Sequence, residues 1–487
     1  MRKLLSLVVA GGLLAASASM ASAVDIKVKG QLNFGFGLYD GRGFTKHDDE
    51  ENFDAKQRLR TQVDFIASES LKGVARFEIG ETPWGANGGA TWGGDDAGRG
   101  TGGAMGADGV SVEVKWLYLD WLVPETDLQV RMGIQPFANP QAVYRANGND
   151  GSAVIDDDVA GLLLSYNFNE NVGINLGWFR PWDGSTNIGG PRNNTDPRFG
   201  DNDEIDFFFL SLPIEVKDSF SLTPWGIFAL VGDNFNGNTG QNNSYLYGTA
   251  PGWMTGHGQF TDDGKAWWLG AAFELSAFDP FIAALDFTYG SYTADDYMGD
   301  SNDRDGWSVV AKLGYKLDYF TPAIFGWYGS GARKFDERGT FDGLLPVMSP
   351  CWGPTSFGFA GSNPTDTEGI IGGSPAGTWA VGLALEDIRF VDKLTSHLRV
   401  AYFRGTSDAN DYNKAARKAG TVDAFREYGI LDKRDWGMEV NLDNVINVYE
   451  NLDMFVDLAY VRMNVKEHTS DFNKNAWRGF VGFQYNF

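Results

Sequence analysis

The side chains with the clearest chemical potential in this sequence are cationic and spaced for a β-strand. Arg58 and Arg60 lie two apart and share a face with Gln62 and Asp64, because successive strand side chains point to opposite sides. Arg76 and Arg131 fall on the polar phase of later segments. Counting from the turn near Glu69 sets Arg60 and Arg76 at similar heights. Carboxylates follow in the long stretch Pro136 to Asp157, which carries Asp150, Asp156 and Asp157, with Asp158 just beyond. Guanidinium groups facing carboxylates across a wet gap supply a field that orients polar solutes and repels apolar ones, because low-dielectric walls focus it. The plainer alternative is that any wet surface carries scattered charge and that these aspartates only solvate a loop.

Other chemistries lack their parts. His47, His257, His397 and His468 are scattered, with no paired-His or Cys spacing for zinc. Cys351 is the only cysteine, so no intrachain disulfide can form, and no catalytic partner stands near it in sequence. No Gly-x-Ser-x-Gly elbow occurs. Gly98-Arg-Gly-Thr-Gly-Gly103 lacks the strand–helix context of a phosphate-binding loop. Asp295, Asp296, Asp300, Asp303 and Asp305 could offer oxygens to Ca²⁺, but not at EF-hand spacing, so solvation is the default reading. No enzyme activity and no cofactor are expected. A net charge of −24 would repel nucleic acid, which needs clustered Lys and Arg.

The elements that must position these charges are strands. In Ile26 to Tyr39 one face carries Ile26, Val28, Leu32, Phe34, Phe36 and Leu38, and the other Lys27, Lys29, Gln31 and Asn33. The same alternation returns over Arg58–Ala67, Leu128–Gln135, Trp307–Leu317 and Leu452–Tyr460, whereas Val112 to Trp121 has no clean phase. Segments of roughly ten residues with this period are the signature of a transmembrane β-barrel. No apolar run beyond the N-terminus reaches ~18 residues, the length a transmembrane helix needs.

Connections alternate too. Short ones at 68–70, 124–126, 169–171, 217–219, 277–279 and near Asp318 interleave with long Gly/Asn/Asp-rich ones. The long ones run 40–54, 81–108, 136–157, 181–203, 232–264, 291–305, 329–376, 406–433 and 464–473. The expected fold is an all-β, antiparallel, up-and-down transmembrane barrel of about eighteen strands, sixteen being the next even count, with short periplasmic turns and long external loops.

Met1-Arg-Lys, an apolar run from Leu4 to Ala16 and Ala21-Ser-Ala23 make a secretory signal peptide over 1–23, cleaved after Ala23. Residues 24–487 would then form one barrel, with 136–157 as the candidate constriction loop and the bacterial outer membrane as its location. Trp267, Trp307, Trp379, Trp436 and Trp477 each begin a strand on the apolar face, as an aromatic belt would. Tyr166, Phe168, Tyr315 and Tyr485 stand at the opposite height.

The chain closes on alternating aromatics, Phe483, Tyr485 and Phe487. This resembles the C-terminal signal by which bacterial outer-membrane barrels are recognised for assembly. Lys115-Trp-Leu-Tyr-Leu-Asp-Trp-Leu-Val-Pro and Val130-Arg-Met-Gly-Ile-Gln-Pro-Phe extend the likeness. Together these resemble the homotrimeric outer-membrane porins of sulfate-reducing bacteria and, more loosely, the general porins. The resemblance implies a trimer of water-filled barrels, each narrowed by its third external loop, with the second loop (81–108, holding Trp84 and Trp92) able to latch onto a neighbour. Implied partners are outer-membrane lipid and lipopolysaccharide, the barrel assembly machinery and small hydrophilic solutes.

The expected function is passive diffusion of such solutes and ions. One alternative is a substrate-specific channel for anions or for sugars, with Phe455 and Trp268 as stacking platforms inside. Another is a structural or adhesive barrel, in which 329–376 plugs the lumen or binds a partner.

Overall fold

The computed structural model describes residues 24–44, 52–85, 112–144, 152–183, 204–232, 264–293, 304–333, 343–348, 350–359, 369–408, 431–466 and 472–487. The strands are β1 (Asp25–Asp40), β2 (Asn52–Ser68), β3 (Leu71–Pro83), β4 (Val112–Leu122), β5 (Leu128–Ala138), β6 (Asp156–Asn167), β7 (Gly173–Asp183), β8 (Glu204–Ser211) and β9 (Ile214–Val216). They continue as β10 (Phe220–Val231), β11 (Lys265–Leu275), β12 (Phe281–Thr293), β13 (Arg304–Tyr315) and β14 (Thr321–Gly329). The last are β15 (Thr378–Ile388), β16 (Leu394–Gly405), β17 (Trp436–Tyr449), β18 (Leu452–Asn464) and β19 (Asn475–Asn486).

With β8 and β9 taken as one, each strand pairs antiparallel with its sequence neighbours, and β1 pairs with both β2 and β19, so the sheet closes on itself. Strands β8 and β9 are halves of one staff, broken at Leu212-Pro213, since both pair with β10. Proline has no amide hydrogen to give the ladder. Counted that way, the barrel has eighteen strands. Two short turns join those read from the sequence, 389–393 and 450–451.

Alternation decides which face points where. On β15, Val381 and Leu383 are 50% and 62% exposed, while Ala380, Ala384 and Glu386 between and beside them are buried. The same phase leaves Leu269, Leu313, Ile324 and Leu458 on the outer surface. A continuous apolar band of this kind is unfavourable against water and suits hydrocarbon. Closure pairs backbone groups between strands, and hydrocarbon demands this because each unpaired group costs several kcal/mol. At the seam, Gly30 and Phe487 exchange two backbone hydrogen bonds of 2.8 and 3.0 Å. A Cβ on Gly30 would meet the Phe487 ring at 2.6 Å, so the glycine makes room for it.

Near the end with long connections, the outer surface carries a row in which Trp and Tyr alternate from strand to strand. Tyr289 stands opposite Trp307, Tyr328 opposite Trp379, and Tyr460 opposite Trp477. Trp267 packs on Tyr289 at 5.1 Å, Trp307 stacks on Tyr328 at 4.8 Å, and Tyr402 bridges Trp379 and Trp436 at 5.7 and 6.0 Å. At the turn end Tyr485 and Phe487 stack at 6.2 Å, and Tyr166 packs on Phe168 at 5.3 Å.

Side chains alone cannot fill a barrel of this strand number. Among the described residues, two connections reach across it. The β5–β6 connection sends Gln141–Tyr144 across to β12, where the backbone N–H groups of Ala142 and Val143 both donate to the Asp286 carboxylate at 2.7 Å. The β14–β15 connection brings in Leu344, Leu345, Val347, Met348, Trp352 and Phe357, all buried. Trp268 on β11 donates to the Pro346 carbonyl at 2.8 Å, and Phe357 and Gly358 donate to Glu439 on β17 at 3.1 and 2.9 Å. The two inserts are joined to each other by Met348 N–H to Val154 O (2.9 Å) and Cys351 N–H to Ser152 O (3.0 Å). A Cβ at Gly306 would fall 2.2 Å from the Leu345 amide, so this insert lies directly on the wall.

These inserts cover apolar inner faces. One cluster joins Phe179, Phe207, Trp225, Ile227 and Trp268 to Leu345 and Met348, and the other joins Phe325, Trp327 and Phe403 to Trp352, Phe357 and Phe359. Trp268 and Phe455 point inward as read from the sequence, but both are buried, and Trp268 is capped by Pro346. Neither offers an open ring for a sugar to stack on.

Candidate pore constriction

The open part of the interior is bordered by β1, β3–β8 and β10. Arg58 and Arg60 lie on the inner face of β2 beside it, both buried at 8% exposure. Arg60 stands opposite Gln31 on β1 and Glu78 on β3, and its guanidinium pairs with the Glu78 carboxylate. Arg76 faces Gln62 across the β2–β3 ladder, one diagonal step from Arg60, and lies 4.2 Å from the centre of the Trp116 ring. Arg131 on β5 faces Asp120 on β4 and donates to both its oxygens, at 2.7 and 3.1 Å, while resting 4.6 Å over Tyr118. Towards the turn end, Lys72 approaches Asp120 at 3.7 Å and Lys29 approaches Asp64 at 3.4 Å. The register thus brings Arg58, Arg60 and Arg76 together, with Arg131 beside its own carboxylate partner.

The carboxylates read from the sequence are distributed differently. Asp150 lies outside the described residues. Asp156 and Asp157 open β6 and are not part of the connection, which is shortened to 139–155 because β5 runs on to Ala138. Asp158, the next residue, accepts from Lys115 Nζ at 2.5 Å and from Trp116 Nε1 at 2.6 Å. Asp305, from the acidic run considered for Ca²⁺, takes a 3.5 Å contact from the Tyr289 hydroxyl; the other four members lie outside the described residues.

Between wall and inserts remains a cavity of about 610 Å³, lined by Arg76, Lys115, Arg131, Asp156, Asn139 and Cys351 among others. Its insert side is built rigidly. Asn139 Oδ1 accepts from Ser152 Oγ, Ile155 N–H and Val154 N–H at 2.5, 3.1 and 3.3 Å, and Gln141 Oε1 accepts from Ala153 N–H at 2.9 Å. Beyond Val143, the Tyr144 ring lies edge-on to Phe325 and 4.9 Å from Lys312 Nζ. Burial, reinforced by Glu386, raises the pKa of its hydroxyl. Burial, with Asp156 nearby, pushes the Cys351 thiol up to about 12. Neither group ionises near neutral pH.

Sequence reasoning passed over three positioning residues. Asp286 and Glu439 look like any polar-phase carboxylate until the inserts hang from them. Lys115 did leave a trace, because the missing phase of Val112–Trp121 is a β-bulge: Arg76 pairs with Trp116 but Phe77 with Val114, which leaves Lys115 as the extra residue. The buried 343–359 segment also left one, in the apolar residues of an otherwise polar connection.

No family model matches the chain, and no curated protein matches it. Solved outer-membrane barrels do. OpdL from Pseudomonas aeruginosa shares 11% identity over 95% of this chain and 99% of its own, with a TM-score of 0.52. OccAB3 from Acinetobacter baumannii gives 11%, 95%, 100% and 0.51 in the same order, and OprD from Pseudomonas aeruginosa gives 13%, 96%, 97% and 0.50. At such identities the likeness is one of fold, extending over nearly the whole chain.

Proposed function

We propose that this barrel is an outer-membrane porin, a water-filled channel through which small hydrophilic solutes and ions diffuse passively. One observation carries the reading: the inserts bury two large apolar clusters against the wall, yet a charged cavity is kept open beside β3–β6. Burying that many charged groups away from water would be costly, whereas lining water is cheap. Arg58, Arg60, Arg76 and Arg131 form the basic side of the constriction, and Asp156 and Asp157 act as its acidic counterpart, so a dipolar solute is oriented as it passes. Purified protein in planar bilayers tests this, with ohmic, stepwise current expected. Correctly folded protein that carries no current refutes it.

Two inserts, where one was expected, narrow the channel from opposite connections, and this favours a second reading in which the channel is substrate-specific. Liposome swelling that saturates with one anionic solute supports selection; dependence on solute size alone counts against it. A homotrimer is part of the proposal. Trp84, at the start of the second long connection, packs on Phe36 on the outer surface at 5.3 Å and is half exposed, available to a neighbouring copy. Current steps in threes and cross-linked trimers are the expected result. Lipopolysaccharide at the Trp/Tyr row and recognition of Phe483, Tyr485 and Phe487 by the assembly machinery complete the proposal, together with export by a leader over 1–23.

A further inference from the structure

The bulge on β4 does something the other wall charges do not. A strand normally sends alternate side chains to opposite faces, but the extra residue lets consecutive Lys115 and Trp116 both line the cavity. Both then converge on one carboxylate, Lys115 Nζ and Trp116 Nε1 each taking a different oxygen of Asp158. The Trp116 ring, fixed by that bond, carries the Arg76 guanidinium at 4.2 Å. Lys115 and Asp158 are both part-exposed to the cavity, with 24% and 22% of their side chains accessible. Their charges therefore cancel at a place where a passing ion feels them. Arg60–Glu78 and Arg131–Asp120 are pairs between strands adjacent in the sheet. The Lys115–Asp158 pair instead spans β5, at the foot of the insert that narrows the channel.

Resting on the channel reading above, we infer that the Lys115–Asp158 pair holds the ion selectivity of the constriction in balance. Removing either member uncovers the charge of the other. Asp158→Asn leaves Lys115 unneutralised and raises the anion-to-cation permeability ratio; Lys115→Met leaves Asp158 and lowers it. Each change in the ratio is expected to be about tenfold, because one unit charge acting through water on an ion roughly 6 Å away shifts anion and cation about threefold each in opposite directions. The double variant returns the ratio to the native value.

The measurement is the reversal potential across planar bilayers in a KCl gradient for the native protein and the three variants. Shifts of opposite sign in the single variants, cancelling in the double, support the inference. Shifts of the same sign, or none, in channels that still conduct overturn it and leave the channel reading standing. No current from the native protein overturns the channel reading and this inference with it. A purely structural role for the pair would change conductance or yield without the reciprocal sign.

Discussion

Asp286 holds the tip of the first insert, and its removal should widen the channel. Its carboxylate accepts two adjacent backbone N–H groups from a connection that begins on the far wall, each at 2.7 Å. Hydrogen bonds to a charged group contribute about 1.5–3 kcal/mol each. Two of them set an upper bound of roughly 6 kcal/mol on the loss in Asp286→Ala. The tip keeps other anchors: Trp352 Nε1 still donates to Val143 O at 3.2 Å, and Tyr144 still packs on Phe325. The freed amides can also turn to water in a wet interior. A net loss of about 3 kcal/mol is therefore reasonable, which makes undocking roughly a hundredfold more frequent. In single-channel recordings at fixed salt, Asp286→Ala should show higher mean conductance and added open-channel noise as the tip docks and undocks. Asp286→Asn keeps one acceptor oxygen and should fall between alanine and native. If the alanine variant matches the native protein in both conductance and noise, the tip is held by packing alone and the reasoning fails.

Three further outcomes follow from the geometry. Cys351 should react slowly with maleimides at pH 8, because a thiol pushed up to about 12 is protonated there, and labelling should accelerate as pH rises towards that value; rapid labelling at pH 8 would show an accessible, ordinary thiol. Deleting 344–358 should raise conductance severalfold while the barrel keeps its heat-modifiable gel mobility, since the strands pair with one another and not with the insert; loss of the folded band would show that the insert supports the shell. Phe487→Ala should lower the yield of folded barrel in the membrane fraction, because the ring fills the space over Gly30 at the seam; an unchanged yield would remove that role.

The shell was legible in the sequence because it follows one rule. Alternation marks a strand wherever one face meets lipid and the other water, and nine long connections between shorter turns gave the strand count. The interior was less legible for a physical reason: an inward side chain can meet either water or an insert, and the alternation is identical in both cases. Trp268 and Phe455 were read as open rings on that account, and both are buried. Asp156 and Asp157 were assigned to a connection because three successive aspartates resemble a solvated loop, yet β6 begins with them. Arg58, Arg60 and Arg76 were easier, since two-residue spacing and a nearby turn fix both face and height.

The Met348–Val154 and Cys351–Ser152 backbone bonds stitch the two inserts into a single body, though they leave the wall at strands far apart in the chain. Bore therefore depends on segments that must change in concert, because lengthening one drags on the other. Wall charge is tied only within the sheet: an arginine on β2 or β5 answers to its carboxylate partner on the next strand and can change without disturbing the stitched body. A lineage carrying this barrel could thus drift quickly in which ions it admits and only in jumps in how large a molecule it passes.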